Sequence, residues 1–161
     1  MNRVNGKKTS FAPVRDEGTR ITLCYGLKKI SGGLYEWHEV YLPKKQTSSL
    51  SLDDVKTAIL EDINARTSNR ILTGFTWDGT PVWLSSENQF NFSNAQRLGV
   101  VPVTYKLGED DEGNPIYHTF ETTEELDEFC RLTVGYVSQC LADGWREKDS
   151  IDWNIYESAL K

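Results

Sequence analysis

Ile71-Leu72-Thr73-Gly74-Phe75-Thr76-Trp77-Asp78-Gly79-Thr80-Pro81-Val82-Trp83-Leu84 is the stretch that decides the fold class. Two β-prone runs, Ile71 to Trp77 and Pro81 to Leu84, flank Asp78-Gly79. That dipeptide suits a two-residue hairpin turn, because both central residues must take positive φ and Asp-Gly tolerates this. Gly74 is placed where a backbone approaches closely. The stretch is therefore expected to form an antiparallel hairpin.

Upstream, Ser51 reads as a helix N-cap, with Asp53 and Asp54 in the first turn, where acids favour the helix dipole. Leu52, Val55, Ile59 and Ile63 form one apolar stripe, widened by Ala58, and the helix is expected to reach about Arg66. Before it, Ile21, Leu23, Tyr25 and Leu27 alternate with polar or small residues, the period of a half-buried strand. Ser31-Gly32-Gly33 separates this run from Leu34 to Leu42, giving a second hairpin that Pro43 and the following KKQTSS end. Residues 1–18 have few apolar side chains and no clear period. They are expected to be a flexible arm, since ordering them costs roughly 1–2 kcal/mol per residue. Such an arm would lie across a neighbouring chain through Phe11, Pro13 and Val14. Residues 19–161 are expected to be a single domain.

Downstream, residues 85–98 (SSENQFNFSNAQRL) are ambiguous and can be an irregular loop followed by a short helix. Val101, Val103, Tyr105 and Leu107 resume the alternation. Residues 108–115 read as a solvated turn, and Ile116 to Phe120 pair back. Thr122-Thr123-Glu124-Glu125 is a capping box, in which Glu125 bonds back to the Thr122 amide. Leu126, Phe129, Cys130, Thr133, Val137, Cys140 and Leu141 share one helix face, and Gly144 is expected to close the helix. A short helix from about Ile151 to Leu160 follows. The fold expected is α+β: antiparallel hairpins forming a sheet, two amphipathic helices packed on it, and a short C-terminal helix.

Composition narrows the function. The 161 residues include 38% apolar and 26% charged side chains, an ordinary globular balance. The formal net charge is −6. That argues against non-specific nucleic-acid binding, which needs a positive surface to displace counterions. No apolar run approaches the roughly 20 residues of a membrane span. The first residues carry no apolar core of a signal peptide, so synthesis in the cytoplasm is expected. Cys130 and Cys140 lie ten residues apart on one predicted helix, roughly 15 Å along its axis. That is too far for a disulfide, and Cys24 has no evident partner, so reduced thiols are expected.

No cofactor, metal or catalytic motif emerges. His38 and His118 lie outside any nucleophile or metal pattern. Glu36 and His38 share a strand face but would need further ligands. The acidic turn from Glu109 to Asn114 fails as a calcium loop aligned on Gly113, because Gly108 and Thr119 fall where Asp and Glu are required. The aromatics pose the main question. Trp37, Phe75, Trp77, Trp83, Phe90 and Phe92 can be core, stacking platform or interface. A base-stacking platform needs basic neighbours that are lacking. Phe11, Val14, Trp37, Trp83, Phe90 and Phe92 are the residues singled out as partner-binding.

The run from Ile71 to Gly79, continued from Pro81 to Asn91, resembles an uncharacterised family of tailed-phage and prophage proteins. Members are frequent in phages of gut Bacteroides-type bacteria and are sometimes found with tail-fibre proteins. Asp62 to Arg66, His118-Thr119-Phe120, Glu124-Glu125-Leu126 and Gly144-Trp145 also fit, and the match spans about residues 20–157. The resemblance implies a non-enzymatic structural subunit of the virion, at the tail or its fibres. Its partners would be other virion proteins or further copies of itself. An assembly chaperone absent from the mature particle is the alternative, and a small enzyme with an unrecognised site is the third. The resemblance transfers no catalytic residues.

Overall fold

The computed structural model describes residues 2–43 and 49–161, so the KKQTSS stretch expected to end the hairpin lies, except for Ser49, outside the described residues. Among the described residues the fold is α+β, as expected: antiparallel sheets and four α-helices, the last short. The strands form three antiparallel sheets, one of four strands and two of two. Contacts group the chain into two compact units, Met1–Ala65 with Gly144–Lys161, and Arg66–Asp143.

The first unit is built on β1 (Asn2–Gly6), β2 (Val14–Asp16), β3 (Arg20–Lys29) and β4 (Tyr35–Pro43), in the order β1-β4-β3-β2. The β3–β4 hairpin appears where the alternation placed it, with a bulge between Tyr25 and Lys28. Leu23 and Tyr25 point to a core completed by Val55, Ala58, Ile59 and Ile63 of α1 (Leu52–Thr73) and by Tyr156 of α4 (Asn154–Ala159). Ser51 caps α1 as predicted: its hydroxyl accepts from the Asp54 amide at 3.1 Å, and the Asp54 carboxylate accepts from the Ser51 amide at 3.0 Å. The Tyr156 hydroxyl donates to the Cys24 carbonyl at 2.7 Å, which ties the short α4 to β3.

The expectation of a free arm over residues 1–18 is corrected. β1 pairs with β4 from Asn2 opposite Glu39 to Gly6 opposite Tyr35, and β2 pairs with β3. The reason is that a polar segment unable to order itself gains backbone partners from an existing sheet edge. It also covers the second face of that sheet, which carries Thr22, Cys24, Trp37 and Glu39, all buried. Phe11 packs edge-on to Trp37 with centroids 6.1 Å apart. A Cβ at Gly6 would sit 2.8 Å from the Trp37 ring, so only glycine lets β1 pass there.

Beneath this segment Glu39 is a carboxylate enclosed by donors. Arg15 reaches it at 2.6 Å, the Trp37 indole at 3.0 Å and the Tyr41 hydroxyl at 3.1 Å. Burial alone would raise the Glu39 carboxyl, but the donors from Trp37, Arg15 and Tyr41 outweigh it and hold it below the usual carboxylate range. Burial pushes the adjacent Cys24 thiol up to about 11, so it stays protonated. Cys130 and Cys140 are also buried and free, as the spacing argument required.

The second unit holds two hairpins: β5 (Phe75–Trp77) with β6 (Thr80–Val82), and β7 (Val103–Glu109) with β8 (Pro115–Phe120). Asp78 and Gly79 take φ of 48° and 75°, the two-residue turn read from the sequence. The Trp83 amide donates to the Leu107 carbonyl at 2.7 Å, and a Cβ at Gly108 would lie 2.7 Å from the Pro81 carbonyl oxygen. Gly108 is thus what allows the hairpins to touch. α2 (Ser86–Leu98) resolves the open stretch as helix, capped by Ser85 accepting from the Asn88 amide and closed by Gly99 in the left-handed conformation. Two of its polar side chains face back into the preceding loop: Asn88 donates to the Trp83 carbonyl and Gln89 to the Leu84 carbonyl.

Two helix ends differ from the sequence reading. α1 continues past Arg66 to Thr73, so Ile71 to Thr73 are helical and β5 starts at Phe75. Ile71 finds its burial against the second core from a helix, and Gly74 makes the turn. A Cβ at Gly74 would run into the Tyr136 hydroxyl and approach the Arg70 carbonyl oxygen to 2.7 Å. α3 (Thr123–Asp149) runs through Gly144, because a helical glycine costs only about 1 kcal/mol and good helix formers follow it. Thr122 caps α3 as predicted, but the Glu125 carboxylate takes the Glu121 amide at 3.2 Å rather than that of Thr122.

The predicted face of α3 buries Leu126, Phe129, Cys130, Thr133 and Cys140. Phe129 is fully buried among Phe75, Trp77, Phe92 and Phe120, at centroid distances of 6.5, 5.2, 5.0 and 4.9 Å. Phe129→Ala should therefore cost about 3–5 kcal/mol, measured as a lower urea midpoint; an unchanged midpoint would contradict this packing. Glu39→Gln should cost about 1.5–3 kcal/mol at pH 7, because it removes a charged acceptor shared by Arg15, Trp37, Tyr41 and the Cys24 thiol. The folded state favours the ionised form, so this contribution is full above the ordinary carboxylate range and is lost as pH falls through the lowered value. Urea titrations from pH 7 to pH 3 should show the gap between wild type and Glu39→Gln closing on acidification.

Candidate functional site

The six residues expected to meet a partner are placed very differently. Trp37 and Phe92 are each 2% exposed and belong to the cores of their units, which corrects their assignment to an interface. Both are drawn inward by what surrounds them: Trp37 by the Glu39 carboxylate and the covering N-terminal segment, Phe92 by Phe129 and Tyr105. Phe11 and Val14 are half-buried against their own unit, Phe11 on Trp37 and Val14 on the first core. Trp83 is half-buried, with the Lys106 ammonium 5.3 Å from its ring centroid. Phe90 alone of the six is strongly exposed, at 66%.

A second place in the same unit gathers side chains with chemistry. A cleft of about 280 Å³ lies beside the Asp78-Gly79 turn, lined by Trp77, Asp78, Thr80, Tyr117, His118 and Glu125 over a floor of Leu107 and Ile116. His118 is held in place by three neighbours. Its Nε2 lies 2.9 Å from a Glu125 carboxylate oxygen, and its ring is edge-on to Trp77 at 4.7 Å and to Phe120 at 4.6 Å. Toward a carboxylate oxygen, which accepts, Nε2 is the donor of this pair. The other Glu125 oxygen takes the Glu121 amide at the start of α3. Among the described residues, Glu125 is the sole hydrogen-bond partner of the His118 ring, so no hydroxyl is aligned on that ring as a nucleophile would be.

The sequence did not bring His118, Glu125, Trp77 and Asp78 together as a site. The signals were present separately: the Asp-Gly turn, the strand that ends at Phe120 and the cap at Thr122. Their convergence depends on β8 running beside the turn of the β5–β6 hairpin, which periodicity alone does not specify.

The first unit has a larger cavity, about 460 Å³, between Ile21, Leu42 and Leu50 on one side and Asp54, Ala58 and Glu61 of α1 on the other. Its wall passes through Pro43 and Ser49, the two ends of the stretch outside the described residues. The acidic loop after β7 is a stabilised turn: the Asp110 carboxylate accepts from the amides of Glu112 and Asn114 and from the Asn114 side chain. Those bonds, with Asn114 foremost, hold it below its ordinary value. Among the described residues, no group of three or more His, Cys, Asp or Glu side chains is placed to hold a metal ion. No helix among them is long and apolar enough to cross a membrane. No known family's model matches this chain, and no curated protein or solved structure matches it either.

Proposed function

We propose that the chain is a non-enzymatic structural subunit of a tailed-phage virion, at the tail or its fibres, acting through protein–protein contacts. It would be made in the host cytoplasm and meet other virion proteins or further copies of itself. The observation that supports a binding role is Phe90, 66% exposed on a helix whose inner residues Phe92 and Ala95 are already buried. A large aromatic ring left in water on an ordered helix is a common anchor for a partner. The phage setting is supported by the resemblance of the Ile71 to Asn91 stretch, in which Phe90 itself lies.

Mass spectrometry of purified particles tests the proposal. A structural subunit is found at a fixed ratio to the other virion proteins. An assembly chaperone is made in the infected cell and is missing from the particle, which would sink the subunit reading. Phe90→Ser should change the stability of the isolated protein by no more than about 0.5 kcal/mol, as surface substitutions do. It should nevertheless lower the amount of the chain recovered in particles. Recovery equal to wild type would remove Phe90 from the interface.

A further inference from the structure

We propose that the cleft at the Asp78-Gly79 turn is a docking pocket for one arginine side chain of a partner protein. The inference rests on the binding role proposed above and names a site for it separate from Phe90. With a volume of about 280 Å³, the cleft falls just below the range for drug-sized ligands, roughly 300–1,000 Å³. It suits a single side chain better than a folded segment.

The lining selects the charge. Asp78 and Glu125 contribute two carboxylates, and neither Lys nor Arg lines the cleft. Glu125 is committed, one oxygen to His118 and the other to the Glu121 amide. Asp78 is not: among the described residues no hydrogen bond or ion pair holds its carboxylate, and the turn leaves the residue exposed. The base opposite Tyr117 across the β7–β8 hairpin, Lys106, is neutralised by Glu109 at 2.7 Å. An anionic guest would meet two like charges, whereas a cation finds a free carboxylate with a second negative group behind it.

The rings select arginine among cations. Trp77 and Tyr117 both line the cleft, and Tyr117 is 64% exposed. A planar guanidinium stacks on aromatic faces while its fork of N–H groups meets a carboxylate, which an ammonium does less well. Trp77 is fixed by Phe129, Phe120 and His118, so the wall is already formed before a guest arrives.

The test titrates N-acetyl-arginine amide into the ¹⁵N-labelled full chain and follows the indole N–H signal of Trp77, assigned with Trp77→Phe. N-acetyl-lysine amide and N-acetyl-glutamine amide are the cationic and neutral controls. A saturable shift is expected with arginine, weaker with lysine and absent with glutamine. Asp78→Asn should weaken arginine binding about tenfold or more, the loss of one charged acceptor. Asn-Gly supports the same turn, so this variant keeps the fold. Tyr117→Ala, at an exposed position, should weaken it as well. No arginine shift, an equal shift with glutamine, or unchanged binding by Asp78→Asn overturns the pocket. A chain found in particles that ignores arginine keeps the subunit reading and loses the pocket. A chain absent from particles that binds arginine keeps the pocket and loses that reading.

Discussion

The ring of Phe129 is the contact on which the second unit depends. Four other aromatic rings meet it, one from α2, one from β8 and two from the β5–β6 hairpin. A two-stranded hairpin is marginal by itself in water. Both hairpins of this unit are short, so a helix has to supply the apolar surface that neither provides. Phe129 does this from the middle of the α3 face, with Leu126 and Cys130 beside it. The same contact positions the cleft. Trp77 is held by Phe129 on one side and by His118 on another, and the turn that follows carries Asp78 to the surface.

Glu39 has a corresponding place in the first unit, by a different physical route. A carboxylate in the interior is tolerable only if donors replace the water it loses. Trp37 and Tyr41 supply two from its own strand, but Arg15 comes from the N-terminal segment. The segment therefore does more than cover apolar surface. Folding it back satisfies a charge that would otherwise be buried with fewer donors. The ion pair is partly open to solvent on the Arg15 side, where 31% of the side chain is exposed, so its worth is smaller than that of a fully enclosed pair.

How much of this was legible follows from which forces are local. The apolar stripe from Val55 to Ile63, the Asp78-Gly79 turn and the Ser51 and Thr122 caps are set by residues within a few positions of one another, and each was found. The N-terminal strands are not legible in the sequence because Asn2 to Gly6 carries almost no β signal of its own. What makes it a strand is the unpaired edge of β4, distant in the chain. The far end of α1 is hidden for a related reason. Thr67 to Thr73 looks like the approach to a strand, and only the close meeting of Gly74, Arg70 and Tyr136 shows why the chain turns there and not earlier. The α3 helix failed to stop at Gly144 because a glycine terminates a helix only where the next residues gain by leaving it.

The candidate site divides along the same line. Aromatic content marked five of the six candidate residues, all but Val14, yet aromaticity does not distinguish a ring that fills a core from one that greets a partner. Trp37 and Phe92 were taken inward by a carboxylate and by Phe129, while Phe90, two positions from Phe92 on the same helix, stayed outside. Helical geometry accounts for that split: residues two apart lie on different faces, so burying one directs the other toward water. The cleft beside Asp78 has no such local marker, since its walls come from the β5–β6 turn, β8 and the start of α3. Its character is nonetheless physical rather than incidental. The turn demands a residue that tolerates positive φ, Asp is one of the few that does, and the residue chosen for its backbone therefore brings a charge to the edge of an aromatic-walled space.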